Sequence, residues 1–239
     1  MKMKGRKAIV FGGTSGIGLA AARQLAELGA EVVAVSRSPE KVRDPGTGDP
    51  GQGIHLERCD VRDEAALEQL FARLAPFDIL ISAATGGERA TGPFMEMEME
   101  GFRASFDKLW GYANVVRQGA VYLPEDGCIV LVSGAPARNM RPGQIAIGAV
   151  GGAVEQFARG LAPELAPRRI NVVSPGFIDT PMVTLTGDER RQMLEKMTSD
   201  FLIKRAGKPE EVAQAILFAV QNDFVTGTTI DVDGGWLLS

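Results

Sequence analysis

Residues 10–18 read VFGGTSGIG, in which an apolar run enters a cluster of glycines and leaves into LAAARQLAELG, whose apolar positions recur at helical spacing. Gly12, Gly16 and Gly18 stand at G-x-x-x-G-x-G spacing, immediately after a predicted strand and at the start of a predicted helix. A turn that tight leaves backbone N–H groups and the positive end of a helix pointing at one place, which is how open α/β sheets seat a pyrophosphate. Thr14, Ser15 and Ile17 share the loop and are read with it.

The rest of the chain keeps the rhythm this turn begins. Short apolar runs, KAIVFG, EVVAVS, IHLER, FDILIS, CIVLVSG, INVVSPG and finally TIDVDGG, alternate with longer amphipathic stretches near 16–28, 63–74, 100–121, 148–165 and 208–221. Such alternation predicts a doubly wound, mostly parallel seven-stranded sheet with helices on both faces, a single-domain Rossmann fold over residues 1–239. Residues 43–53, RDPGTGDPGQG, read as an exposed loop between the second and third strands. Residues 182–209 are mixed and amphipathic and follow a strand end, so they read equally as a substrate lid or as a surface helix pair.

A formal charge of −4 offers no basic field for a phosphate backbone, so nucleic acid is not expected as a partner. Cys59 and Cys128 both fall on strands or strand edges, which suits reduced, buried thiols rather than a disulfide framework. His55 stands alone beside a strand and reads as structural or solvent-facing, and no metal site is expected. No apolar run reaches the length of a membrane span, and the amino-terminal residues lead directly into a strand, so the expected location is cytoplasmic.

After the second strand, an unmodified adenosine ribose would be met by an acidic residue. Here the chain reads VAVSRSPE: Ser36, Arg37 and Ser38 offer hydroxyls and a guanidinium, which suit a 2′-phosphate, and NADP(H) is favoured over NAD(H).

With these motifs in order, the chain resembles the short-chain dehydrogenase/reductase family over nearly its whole length. GGTSGIG, CDVRD, SPGFIDTPM and TGTTIDVDGG all carry the likeness. The resemblance implies that Asp60 and Val61 hold the adenine, that Pro175, Gly176, Ile178 and Thr180 line the nicotinamide, and that Ala83, in SAAT where the family has NNAG, borders the cofactor. It also implies a homo-oligomer, dimer or tetramer, built through long fourth and fifth helices.

The family's chemistry rests on a serine, a tyrosine, a lysine and usually an asparagine. Anchored on the helix before RINVVSPG, those positions hold Gly134, Ile147 and Gly151, with Lys108 in place of the asparagine. Ser133, one residue early, is expected to point to the opposite face of its strand. The two tyrosines, Tyr112 and Tyr122, are followed four residues later by Val116 and Asp126, so no Y-x-x-x-K exists anywhere.

Hydride delivery to a ketone leaves an alkoxide that needs a proton, and Ile147 and Gly151 cannot give one. Among polar residues expected near the cleft, Lys108, Tyr112, Arg138 and Gln144, the best donor is Lys108, because a desolvated lysine can titrate near neutrality. Its plain alternative is a lysine on the helix surface or bonded to a strand-end carbonyl. Three readings stay open: a reductase with an unusual proton source, or with a substrate such as an iminium that needs none; a non-catalytic NADPH-binding sensor or scaffold; and a non-redox enzyme on the same fold. Gly148, Gly151 and Gly152 lower helix propensity, and the expected offset is either close packing by another helix or subunit or a wider pocket floor.

Overall fold

The computed structural model describes residues 1–42, 49–85 and 89–239. Of the loop read at 43–53, residues 43–48 lie outside this description. Seven strands form one sheet: β1 Lys7–Phe11, β2 Glu31–Ser36, β3 Ile54–Arg58, β4 Ile79–Ser82, β5 Cys128–Val132, β6 Arg169–Pro175 and β7 Thr229–Val232. Their order is β3-β2-β1-β4-β5-β6-β7 and every pairing is parallel. The inner strands are buried on both faces, which is why they read as continuous apolar runs rather than alternating ones. The edge strands β3 and β7 carry the exposed positions, and His55 lies in the open on β3.

Alternation survives beneath those runs. Ile9 and Phe11 join a core beneath α2 (Glu64–Leu74), α4 (Asp107–Gly119) and α5 (Ile145–Leu165), whereas Ala8 and Val10 join a second core beneath α1 (Gly16–Glu27) and α7 (Pro209–Gln221). The helices begin where local chemistry satisfies their free N–H groups: Asp63 accepts from Ala66 N at 3.0 Å, and Glu211 accepts from Lys208 N at 2.7 Å beside Pro209.

Three sequence expectations need correction. The helix read at 100–121 is two, α3 (Met99–Ser105) and α4, parted at Phe106. Ser105 Oγ donates to Gly101 O and accepts from Ala90 N, both at 2.9 Å, and a hydroxyl bonded back to the preceding turn bends a helix. The helix read at 148–165 starts at Ile145. Residues 182–209 hold one helix, α6 (Gly187–Met197), not a pair.

The chain steps outward from β1 to β2 and β3, then returns to place β4 on the other side of β1. Between the carboxyl ends of β1 and β4 the connections diverge, and a crevice opens where open parallel sheets bind their ligands.

Candidate active site

A cleft of about 1250 Å³ occupies that crevice. Gly12 and Gly16, with φ of 75° and 50°, carry the chain through the left-handed region where a side chain would be strained. A Cβ on Gly12 would meet the Ala83 carbonyl carbon at 2.9 Å, so this glycine also lets the loop sit against the end of β4. Gly18 faces the backbone of Gly12 across the turn, leaving no room for a side chain. Ser15 makes no side-chain cap on α1 and the first turn carries no acidic residue, so nothing there competes with an incoming phosphate.

The structure brings nearly all the predicted cofactor residues to this cleft. Thr14, Ser15, Gly16, Ile17 and Gly18 line one wall; Ser36, Arg37, Ser38 and Val61 line the part beside the end of β2; Ala83, Pro175, Gly176, Ile178 and Thr180 line the rest. Lys41, which sequence reasoning passed over, joins Arg37 there. Asp60 does not line the cleft. Its carboxylate accepts from Arg62 N at 3.0 Å and pairs with the Arg62 side chain at the cleft's outer edge. Burial pulls its pKa up, but the hydrogen bonds and charge of Arg62 outweigh this and hold it below the usual carboxylate range.

At the other end, Lys108 and Tyr112 reach from α4 to the end of β5. Lys108 Nζ donates to Ser133 O at 3.1 Å and lies 5.6 Å from the Tyr112 ring centroid; Tyr112 OH donates to Val132 O at 3.1 Å. Lys108 is thus bonded to a strand-end carbonyl, as its plain reading supposed, and also lines the cleft. Burial, with the charge of Arg89 adding to it, brings the Lys108 ammonium down to about 7. Burial drives the Tyr112 hydroxyl the other way, well above its ordinary value, which removes it as a proton exchanger at neutral pH.

Ser133 Oγ turns to Glu155 Oε1 on α5 at 2.9 Å, and Glu155 in turn faces Arg138 Nε at 3.2 Å. Arg138 spends its guanidinium on Glu155 and Asp231 and does not line the cleft. Gln144 does line it, although its side chain accepts from Arg141 N at 2.9 Å.

Gly134 and Ile147 border the cleft, whereas Gly151 does not. A Cβ on Gly151 would meet the Ala137 Cβ at 3.0 Å, and one on Gly148 would stand 2.6 Å from Pro136 O. Within the chain, Gly148 and Gly151 therefore admit its own turn after β5, Ala135–Ala137, and Gly148, Gly151 and Gly152 do not line the pocket floor. Across the mouth lies α6, whose Met193 and Met197 line the cleft with Met182 and Leu185 from the preceding segment. Among the described residues no group of His, Cys, Asp and Glu could hold a metal, both cysteines are free and buried, and no helix is long and apolar enough to cross a membrane.

Comparison with known proteins agrees with this layout. The family model described as Enoyl-(Acyl carrier protein) reductase matches residues 12–237. The chain is 33% identical to 2,3-dihydro-2,3-dihydroxybenzoate dehydrogenase of Bacillus subtilis, over 98% of this chain and 96% of that one. It is 32% identical to a 3-oxoacyl-(acyl-carrier-protein) reductase of Thermotoga maritima, over the full length of both. Among solved structures, a small-chain dehydrogenase in complex with NADPH superposes with a TM-score of 0.82 at 32% identity, covering 99% of this chain and 100% of that one.

Proposed function

Because the chain belongs to the short-chain dehydrogenase/reductase family of oxidoreductases, we propose that it is an NADP(H)-dependent reductase in which the Lys108 ammonium, rather than a tyrosine, supplies the proton. The observation that carries the reading is the place of Lys108: its Nζ is one hydrogen bond from the residue before Gly134, in the cleft that Gly134 and Ile147 border. The glycine turn and the uncapped start of α1 fit a pyrophosphate, and Arg37 and Lys41, with Ser36 and Ser38, fit a 2′-phosphate. A solved relative that binds NADPH supports the same preference.

NADPH, when bound, supplies a hydride. Reduction of a C=O or C=N carbon would leave an electron pair on oxygen or nitrogen that needs a proton, and Lys108 Nζ would pass its proton there and become a neutral amine, to be recharged from water. The Ser133 carbonyl keeps Nζ in place without taking its remaining protons. The absence of acidic side chains from the described lining leaves no carboxylate to neutralise it. The protein acts as a homo-oligomer in this reading, supported by the 62% exposure of Trp110 on α4.

The test is a titration of NADPH and NADH followed by Trp110 and Trp236 fluorescence, with turnover read on ketones and imines for the native protein and Lys108→Met. The expected outcome is tighter NADPH binding, and a loss of about 100-fold or more in turnover by the variant with NADPH affinity kept. Turnover that survives the substitution removes Lys108 as the donor, and imine turnover alone would point to an iminium substrate. NADPH binding without turnover on any substrate favours the non-catalytic sensor or scaffold, a reading to which the existing bond from Lys108 to Ser133 O gives some support.

A further inference from the structure

The cleft has a charge pattern that the rest of the molecule does not. The protein carries 30 acidic and 26 basic residues, yet no aspartate or glutamate lines this cleft among the described residues. Four cations do, in two pairs: Arg37 and Lys41 follow the end of β2, and Arg89 and Lys108 stand beyond the ends of β4 and β5. The first pair is accounted for by the cofactor. The second pair lies on the far side of the glycine turn, where a reacting molecule would sit.

Several arginines elsewhere are matched: Arg6, Arg62, Arg73, Arg138 and Arg205 each hold a carboxylate. Arg89 has no such partner among the described residues. Among the described residues its guanidinium donates to the Met182 sulfur, at 3.5 Å, a weak acceptor. Lys108 reaches one neutral carbonyl and the face of Tyr112. Both cations line the same end of the cleft, no described carboxylate stands in the lining between them, and an anion entering there meets two positive charges.

Around them the lining is apolar and adaptable: Met182, Met193 and Met197 from the α6 side, and Ile147 and Trp236 opposite. From this arrangement we infer that the cleft takes a substrate bearing an ionised acid group, a carboxylate, on an apolar body, with the carboxylate received by Arg89, the field of Lys108 adding to the attraction, and the hydrocarbon lying against the methionines. A guanidinium is the fitting receptor, because its planar fork matches a carboxylate in two parallel hydrogen bonds. The inference rests on the reading above only for where the cofactor lies.

The test is a binding measurement that needs no turnover. The protein, saturated with NADPH at about pH 6, where carboxylates are ionised and amines protonated, is titrated calorimetrically with fatty acids of graded length and with the amides of the same acids. The expected result is that the acids bind about tenfold or more tightly than their amides, and that Arg89→Gln removes the difference while Arg89→Lys keeps most of it. An Arg37→Ala control weakens NADPH and leaves the acid preference intact. Equal binding of acids and amides, no binding by any acid, or a preference that survives Arg89→Gln overturns the inference. Should turnover be absent while the acid preference holds, the redox reading fails and this one stands; the reverse result separates them as cleanly.

Discussion

Lys108 and Tyr112 stand one helical turn apart on α4 and each donates to a carbonyl at the end of β5, but burial sends them in opposite chemical directions. Burial disfavours whichever form is charged, so it drives the lysine toward the neutral amine near pH 7 and holds the tyrosine as a phenol that cannot ionise. The sign of the pH dependence follows. Reduction needs the protonated lysine, so kcat/KM should be level below about pH 7 and fall above it, while the oxidative direction should rise through the same point. A bound carboxylate on Arg89 removes part of the field that depresses Lys108, so the limb in kcat should lie at higher pH than the limb in kcat/KM. A pH-rate profile checks all three, and Lys108→Met should abolish the limb. Lys108 was picked out of the sequence because it stands where the family resemblance puts the relay asparagine. Arg89 and Lys41 were not, because they follow strand ends in irregular segments, and only tertiary placement decides which loop residues face a cleft. Asp60 shows the opposite limit: its place in CDVRD was visible in the sequence, but the engagement of its carboxylate by Arg62, two residues on, was not.

At the scale of elements, every strand was legible, since buried parallel strands leave short apolar runs that few other elements would produce. Helix boundaries were less so. The break at Phe106 comes from a hydroxyl shared between α3 and Ala90, a contact between segments that no local periodicity carries. The glycines of α5 are the clearest case of a feature seen but not explained by sequence. They differ in what they face, and the difference gives a prediction of opposite signs. A Cβ on Gly148 would collide with Pro136 O at 2.6 Å, backbone that cannot easily yield, whereas one on Gly152 would make an ordinary contact with Ala137 O at 3.7 Å. Gly148→Ala should therefore destabilise by about 1–3 kcal/mol through overpacking. Gly152→Ala should stabilise by about 0.5–1 kcal/mol through helix propensity. Denaturant unfolding of the two variants beside the parent protein measures both.

For the molecule as a whole, an acidic overall balance and a cleft whose charged lining, among the described residues, is basic give an anion a favourable place to go despite a net charge of −4. The exposed Trp110 bears on assembly. If it is covered between subunits, sedimentation should report a dimer or tetramer for the native chain, and Trp110→Glu should shift the protein toward monomer while leaving NADPH binding in the monomer intact. The pairing of α1 with α7 over one face of the sheet carries a consequence of another kind. Glu27 ends α1 and Pro209 begins α7, so the first helix, which also packs on β1 and β2, gains its helical neighbour only when a segment made about 180 residues later arrives. At ribosomal rates of roughly 5–20 residues per second, that is a delay on the order of ten to forty seconds. During that interval the part of this core that α7 will cover stays open to the cell, which makes this face a natural target for chaperones that bind emerging polypeptides.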